Sequence, residues 1–552
     1  MDFYQDIIKS IKKRRLSKDS IAKLKTKLCL KYKVKEIPTD IDILLNANPR
    51  EVPKLRKYLM TKPTRTISGV AVCAIMTKPF KCPHGKCITC PGGVNSIFGS
   101  VPQSYTGNEP ATMRGIRNNF DPYLQVFNRI EHYVILGQNP EKMELIVMGG
   151  TFPSFPKKYR EDFITYALKA MNDFSDLFYK KRFDIVKFKK YFGLPGAVGD
   201  KKRVQDIQKK LLKLKGKSSL KKEQKRNEKA KIKCVGMTIE TRPDYGKLKH
   251  GNEMLRLGAT RVELGIQSVY DDVLKKINRG HTVKDSIESI RTLKDLGFKL
   301  NFHYMPGLFV SKQKDLKGMV ELFENSDFKP DMLKIYPCIV IKGTKLYDLW
   351  KKKKYKPLTT KNAAQLIAEF KKRVPSYCRI MRVQRDIPGY LVEGGVNKTN
   401  LRQYIQQAMK KKGVKCGCIR CREPRGKKIG KTNLRWLYYK ASKGIEFFIS
   451  EENKDNILGF CRLRFPSKNL RKEISDDSAL IRELHVYGEV AGIGEKGKIQ
   501  HKGIGKKLLK EAENIAKTYH KKKMVILSGI GVREYYLNLG YLKEGPYVVK
   551  YL

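Results

Sequence analysis

The chain has 552 residues, room for two to four domains, and 41% of them are hydrophobic, enough for sizeable cores. No run of eighteen apolar residues occurs, and the first residues lack the basic-then-apolar plan of a secretory leader, so a membrane span and secretion are not expected. Lys and Arg number 116 against 54 Asp and Glu, a net charge of +62; a proteome-wide bias would raise Lys and Glu together, so the excess points to a polyanionic partner, most commonly nucleic acid. A soluble, intracellular, cytoplasmic protein is expected.

Residues 1–68 read as a basic helical arm. Between Ile11 and Lys35 eleven Lys or Arg face one acid, Asp19. Ile7, Ile11, Ile21, Leu24 and Leu28 recur at partly helical spacing, giving one apolar and one basic face that suit a phosphate backbone. A membrane-surface helix is the alternative, but it would carry Trp and Phe on that face. Over residues 69–375 short apolar runs (69–75, 143–149, 234–240, 260–266, 298–304, 331–337) alternate with amphipathic helical patterns (123–136, 159–171, 282–296, 361–372). This alternation predicts an α/β fold with a parallel sheet covered on both faces. A full or partial β/α barrel is expected, with a doubly wound open sheet as the alternative. Residues 180–233 interrupt the rhythm with 21 Lys or Arg against 5 acids, an insertion expected to be partly helical, partly mobile and part of the polyanion site.

Twelve cysteines fall into two clusters and six scattered positions, a distribution that favours metal sites over disulfides in an intracellular chain. Cys82, Cys87 and Cys90 lie directly after the first predicted strand, where a barrel gathers its functional groups. Three thiolates can hold a four-iron cluster with one iron open to an outside ligand. A zinc ion completed by His84 or a distant residue is the alternative. Cys416, Cys418 and Cys421 sit in a bridging stretch, 376–430, read as a metal-binding linker; zinc is the default for this spacing. Its fourth ligand is sought among Cys378, Cys338 and His303, and an iron–sulfur site or bare thiols remain open.

Residues 431–552 read as a separate α/β domain. A strand at 478–487 is followed by QHKGIGKK at 500–507 and a helix with Leu508, Leu509, Ala512, Ile515 and Ala516 on one face. A strand at 524–528 and a helical turn at 532–539 come next. Glycines between strand and helix let backbone amides approach a pyrophosphate, aided by the helix dipole. With ELHV at 483–486 and YYxxxGY at 535–541, this domain resembles the Gcn5-related N-acetyltransferase superfamily, which binds acetyl-CoA. The resemblance implies acetyl-CoA contacts from Glu483, Leu484, His485, Val486, Ile504, Gly505 and Lys506. It also implies a tyrosine, Tyr535 or Tyr536, near the thioester sulfur. On the residues alone both tyrosines could be core residues and His485 a sheet histidine.

The first cysteine loop resembles the radical-SAM superfamily, with one extra residue in CxxxxCxxC and with Gly149, Gly150 and Thr151 where Gly-Gly-Glu is usual. These departures match a narrower group. CPHGKCITCPGG (82–93), QSYTGNEP (103–110), MGGTF (148–152), TIETRPD (238–244), LGIQS (264–268), ELHVYG (483–488) and GVREYY (531–536) are similar, in order, to the catalytic-subunit family of Elongator. That resemblance implies an enzyme that places a carboxymethyl-type group on carbon-5 of the tRNA wobble uridine. It implies a [4Fe–4S] cluster on Cys82, Cys87 and Cys90, S-adenosylmethionine near Gly149, Gly150, Thr151, Glu240 and Arg242, and acetyl-CoA contacted from the barrel by Lys142. Lys142, Tyr535 and Tyr536 are the implied catalytic groups. The partner would be a tRNA anticodon stem-loop, with Elongator-like subunits or a homodimer left open. Three rivals are a protein lysine acetyltransferase with a structural cluster, a non-catalytic metal-stapled RNA-binding scaffold, and a radical-SAM RNA methylase.

Overall fold

The computed structural model describes every residue except 1, 14–15, 63–65, 67, 197–199, 426–428 and 489–502. The basic N-terminal segment is a packed unit of four helices, Phe3–Lys13, Lys18–Lys31, Asp40–Asn46 and Val52–Leu59. Ile7, Ile11, Ile21 and Leu28 are buried in its core with Ile43, Leu55 and Leu59. Ser17 caps the second helix, and Thr39 with Asp42 forms a capping box on the third. The segment expected as an arm therefore turns its apolar stripe inward.

After β1 (Ala71–Met76) the chain enters the cysteine loop and a short hairpin, β2 (Gly93–Ser96) and β3 (Gly99–Val101). Strand then alternates with helix through β4 (Lys142–Met148), β5 (Lys233–Thr241), β6 (Arg261–Gln267), β7 (Lys299–Tyr304), β8 (Met332–Ile335) and β9 (Arg379–Arg382). All neighbours are parallel, and their order in the sheet follows the chain without reversal. A doubly wound sheet would reverse at a switch point; this one curls as a half-barrel, open between β1 and β9. The seventh strand, β9, comes from the stretch read as a linker. The free edge of β1 is covered by side chains. Gln125 Nε2 donates to the Met76 carbonyl (2.9 Å) while its Oε1 accepts from the Met76 amide (2.8 Å). Tyr133 and Arg129 donate to the Val72 carbonyl (2.7 and 3.2 Å), and Arg114 donates to that of Ala74.

The insertion at 180–233 forms three helices, Ile185–Tyr191, Lys201–Lys215 and Leu220–Lys229. It was expected to be partly mobile, but its described residues are docked. Phe188 and Phe192 are fully buried, Arg203 pairs with Glu131 at 2.5 Å, and Arg226 bonds Asp173 (2.8 Å) and Asp176 (2.6 Å) on the neighbouring helix. Most of its lysines are exposed, whereas Lys189 reaches the Leu45 and Ala47 carbonyls of the N-terminal unit.

The last domain is one sheet of β10 (Asn433–Ala441), β11 (Gly444–Glu452), β12 (Ile457–Phe465), β13 (Ser478–Val486), β14 (Lys523–Ile526), β15 (Leu542–Glu544) and β16 (Tyr547–Tyr551). It is antiparallel except where β13 meets β14, joined by the helix Ile504–Thr518. This sheet plugs the N-terminal ends of the barrel strands, opposite the cysteine loop. Arg462, Arg464 and Arg482, all essentially inaccessible, carry the interface. Arg482 grips both oxygens of Asp331 at 2.7 Å and also reaches Glu446 (2.7 Å) and the Phe298 carbonyl (2.8 Å). Arg464 bonds Asp295 (2.5 Å) and Glu446 (3.0 Å); Arg462 bonds Glu483 (2.9 Å) and the Tyr377 carbonyl (2.8 Å). Each of these three arginines and the acids it meets thus has a charged partner, the condition for tolerating them in the interior. Among the described residues no helix is long and apolar enough to cross a membrane.

Candidate active site

The exits of β1 and β4 are tied together by the Thr77 amide, which donates to the Met148 carbonyl at 3.0 Å. A Cβ on Gly149 would lie 2.1 Å from Thr77 Oγ1, and its φ of +126° is open to glycine alone. That approach folds the cysteine loop over the barrel mouth. Cys82, Cys87, Cys90, Gly150, Thr151, Glu240 and Arg242 all line one cavity of about 500 Å³. The Ser104 amide donates to Cys90 Sγ (3.1 Å), the Cys90 thiol faces Gln103 Oε1 (3.1 Å), and the Arg279 guanidinium lies 3.7 Å from Cys87 Sγ. Burial, with Cys87 adjacent, pushes the Cys90 thiol up to about 11.

These residues fit an iron–sulfur cluster. Three thiols line the cavity and no fourth joins them. Among the described residues, Cys416, Cys418 and Cys421 gather their sulfurs within 4.8 Å of one another, whereas the barrel-mouth cysteines form no such compact set. A single ion at about 2.3 Å from each sulfur needs the compact spacing; a cluster spreads its ligands over several irons. The N–H groups of Ser104 and Arg279 face the sulfurs and offset thiolate charge. Arg242 is held by Asp244 (2.9 Å) and the Gly280 carbonyl (3.1 Å), which leaves its buried Nη1 as an open donor suited to a carboxylate.

Below the mouth the barrel interior is polar, which the sequence reading did not anticipate. Glu263 on β6 accepts from His303 on β7 (2.9 Å) and from Lys334 on β8; Lys334 lies 3.7 Å from Glu240 on β5. Glu240 also accepts from Tyr105 (3.2 Å). Burial raises the Glu240 carboxyl against the pull of Lys334. Burial alone would raise Glu263 as well, but Lys334 and His303 hold it well below the usual range. Burial lowers His303 to about 4, leaving a neutral ring. The signal was present in β6 as polar Arg261, Glu263 and Gln267 on one face, with Gly265 completing the alternation, within apolar parallel strands that otherwise run continuously hydrophobic.

The expected acetyl-CoA residues divide by position. Leu480 and Ile481 of β13 are flanked by β12 and β14, whereas Glu483, Leu484, His485 and Val486 pair with β12 alone. The pairing of β13 with β14 ends there, and among the described residues no strand pairs with the other edge of 483–486. The helix opened by Ile504, Gly505 and Lys506 abuts that edge: a Cβ on Gly505 would sit 3.7 Å from Val486 Cγ2 and 3.3 Å from the Tyr535 hydroxyl. Tyr535 therefore faces that edge, while Tyr536 is packed in the domain core. The Glu483 side chain is spent on Arg462 and Lys299 (3.1 Å) at the barrel, so only its backbone belongs to the edge. His485 is buried beside Tyr487 with ring centroids 4.4 Å apart. Gln500, His501 and Lys502 lie outside the described residues. Lys142 stands at the first position of β4, paired in register with Lys233, against which Gly531 packs. It lies at the acetyltransferase end of the barrel, remote from the cysteine loop.

Cys416, Cys418 and Cys421 form their own cluster beneath Lys371, whose ammonium is 3.7 Å from Cys421 Sγ. Of the three candidate fourth ligands, only Cys378 is adjacent, its carbonyl accepting from the Ile419 amide at 3.0 Å. His303 belongs to the barrel interior, and Cys338 packs with Leu308, Val340 and Tyr355.

Residues 80–323 match the Radical SAM superfamily and 330–411 the Radical SAM C-terminal domain. Residues 1–67 match the ELP3 N-terminal domain and 419–541 the acetyltransferase (GNAT) family. The chain is 47% identical to the tRNA uridine(34) acetyltransferase of Methanocaldococcus jannaschii over 93% of its own length and 90% of that protein's. It is 39% identical to human Elongator complex protein 3 over 99% of this chain and 96% of the human one. The solved structure of Methanocaldococcus infernus Elp3 lacking residues 1–46 superimposes with a TM-score of 0.71 at 40% identity, covering 88% of this chain and all of that one. These matches span both domains, the cysteine loop of the barrel included, and the chain belongs to the Elongator complex protein 3 family.

Proposed function

We propose that this chain modifies the wobble uridine, position 34, of tRNA, adding a carboxymethyl-type group at carbon-5 with acetyl-CoA and S-adenosylmethionine as co-substrates. The observation that carries the reading is architectural. One chain holds a three-thiol loop at the mouth of a parallel half-barrel and an acetyltransferase sheet bolted to its other end. A lysine acetyltransferase would have no use for the polar barrel, and an RNA scaffold none for the acetyltransferase sheet. Cys82, Cys87 and Cys90 would hold a [4Fe–4S] cluster; with S-adenosylmethionine bound, that group supplies radical initiation.

The chain's own residues bind and position. Gly150, Thr151 and Arg242 offer S-adenosylmethionine a wall beside the thiols, Arg242 through its open Nη1. The edge at 483–486 and the Gly505 turn would take acetyl-CoA, the first as a strand-like partner and the second as an anion site at a helix N-terminus. Tyr535, facing that edge, is better placed than Tyr536 to touch the thioester. Lys142 would approach from the barrel base. Cys416, Cys418 and Cys421 would hold zinc between the domains. The basic N-terminal unit and the insertion would bind the anticodon stem-loop phosphates. The reaction would proceed in the cytoplasm, with Elongator-like subunits or a second copy of the chain as further partners.

The test is anaerobic incubation of reconstituted protein with tRNA, labelled acetyl-CoA and S-adenosylmethionine, followed by nucleoside mass spectrometry. Label in a carbon-5 derivative of uridine 34, absent with Cys87→Ser, is the expected result. Acetylated lysine formed without S-adenosylmethionine would refute the proposal.

A further inference from the structure

We infer that Glu263, flanked by Lys334 and His303, reads the Watson–Crick edge of the uracil inside the barrel. This rests on the wobble-uridine reading above and names the residues that would enforce it. The three side chains come from adjacent strands β6, β7 and β8 and face the same cavity as the cysteine loop. Glu263 is 1% exposed. Its Oε2 is occupied by His303 and Lys334, whereas among the described residues no hydrogen-bond donor reaches its buried Oε1, the Arg261 guanidinium standing 3.5 Å away. A buried carboxylate oxygen without a donor is costly and calls for an N–H.

Uracil offers one. Its edge runs acceptor, donor, acceptor: O2, N3–H, O4. A carboxylate acceptor with the Lys334 ammonium beside it supplies an acceptor for N3–H and a donor for a flanking carbonyl, while the His303 N–H holds the carboxylate in place. Cytosine presents a lone pair at N3, which a carboxylate repels. The same cavity carries the rings of Tyr105, His303 and Tyr336, with His303 and Tyr336 edge-to-face at 5.6 Å. Flat rings beside a polar edge-reading group are what an extruded base requires. Glu240, Glu263 and His303 also lie close enough to hold a metal ion. The Lys334 ammonium already sits between the two carboxylates, however, and a second cation there would be repelled.

The experiment uses reconstituted full-length protein and anticodon stem-loops carrying uridine, 3-methyluridine or cytidine at position 34. 3-Methyluridine keeps both carbonyls and replaces the N3 hydrogen with a methyl group. Wild type should process it about 100-fold more slowly than uridine, because a site built around a hydrogen bond rejects the analogue lacking it. Binding of the same stem-loops to cofactor-free protein gives a second readout, and the phosphate contribution cancels in the ratio. Glu263→Gln should shrink the uridine to 3-methyluridine ratio about tenfold, as a charge-assisted bond becomes a neutral one. Glu263→Asp keeps a charge for Lys334 and His303 but withdraws the carboxylate, and should shrink it too. Damage to the fold alone would lower both rates together and leave the ratio unchanged. Equal handling of uridine and 3-methyluridine by active wild type would overturn this inference while leaving the proposed function standing. No product from uridine at all would overturn both.

Discussion

Arg482→Met tests what fastens the acetyltransferase sheet to the barrel. Arg482 makes two bonds to Asp331, two to Glu446 and one to the Phe298 carbonyl, with all three side chains inaccessible. Methionine fills much of the volume but leaves two buried carboxylates one cation short. Breaking a buried pair by removing one partner costs about 3–5 kcal/mol. Arg462 stays 3.5 Å from Asp331 and Arg464 3.0 Å from Glu446, which places the loss near the lower end, about 3 kcal/mol. For folding units of this size that lowers an apparent melting temperature by roughly 6–12 °C. Calorimetry at neutral pH should show the shift, and the double variant Arg482→Met/Glu446→Gln should recover part of it by removing one stranded charge. A shift under about 2 °C, or a double variant no more stable than the single, would refute the reasoning.

Three further outcomes are expected. If about six to ten phosphates are neutralised, tRNA affinity should fall by about 10³–10⁵ between 50 and 200 mM salt in a filter-binding assay, and a flat response would remove the basic surface from recognition. Gly505→Glu should abolish acetyl-CoA binding by calorimetric titration, since its side chain would enter the space between Val486 and Tyr535 and carry a negative charge to a helix N-terminus. Acid should loosen the domain interface in two stages. Burial lowers His485 from 6.5 to about 4; Lys299 and Arg462, overcoming burial, hold Glu483 down from 4.5 to about 2. Both groups bind protons less readily folded than unfolded, so stability is full at neutral pH and is lost as pH falls, first between about 6.5 and 4, then between about 4.5 and 2. Unfolding midpoints that do not change between pH 7 and 4 would contradict the first stage.

Much of this architecture is legible in the chain. Six of the seven barrel strands announce themselves as apolar runs, because a parallel sheet buried on both faces needs them. Strand β9 does not: Arg379–Arg382 is short and half charged, and its first residue is anchored by the Asp331 carbonyl and the Glu423 carboxylate. The cysteine loop could be read from spacing alone, since thiolates a few residues apart must share a centre. The meeting of Glu263, His303 and Lys334 could not: the alternating polar positions of β6 mark the face Glu263 lies on, but the three converge from strands about forty and thirty residues apart. The division of labour between Tyr535 and Tyr536 was equally hidden. It depends on which side of a five-residue helix meets the Gly505 turn.

The side chains that cover β1 bear on self-assembly. A half-barrel ends in a strand whose outer carbonyls and amides could recruit another chain, and exposed strand edges of that kind seed aggregation. Gln125, Arg129, Tyr133 and Arg114 occupy those groups one by one, as a surrogate neighbour that cannot propagate. The opening between β1 and β9 is thereby kept without becoming adhesive. Losing Gln125 would cost more than two hydrogen bonds, because it would turn a quiet rim into a template.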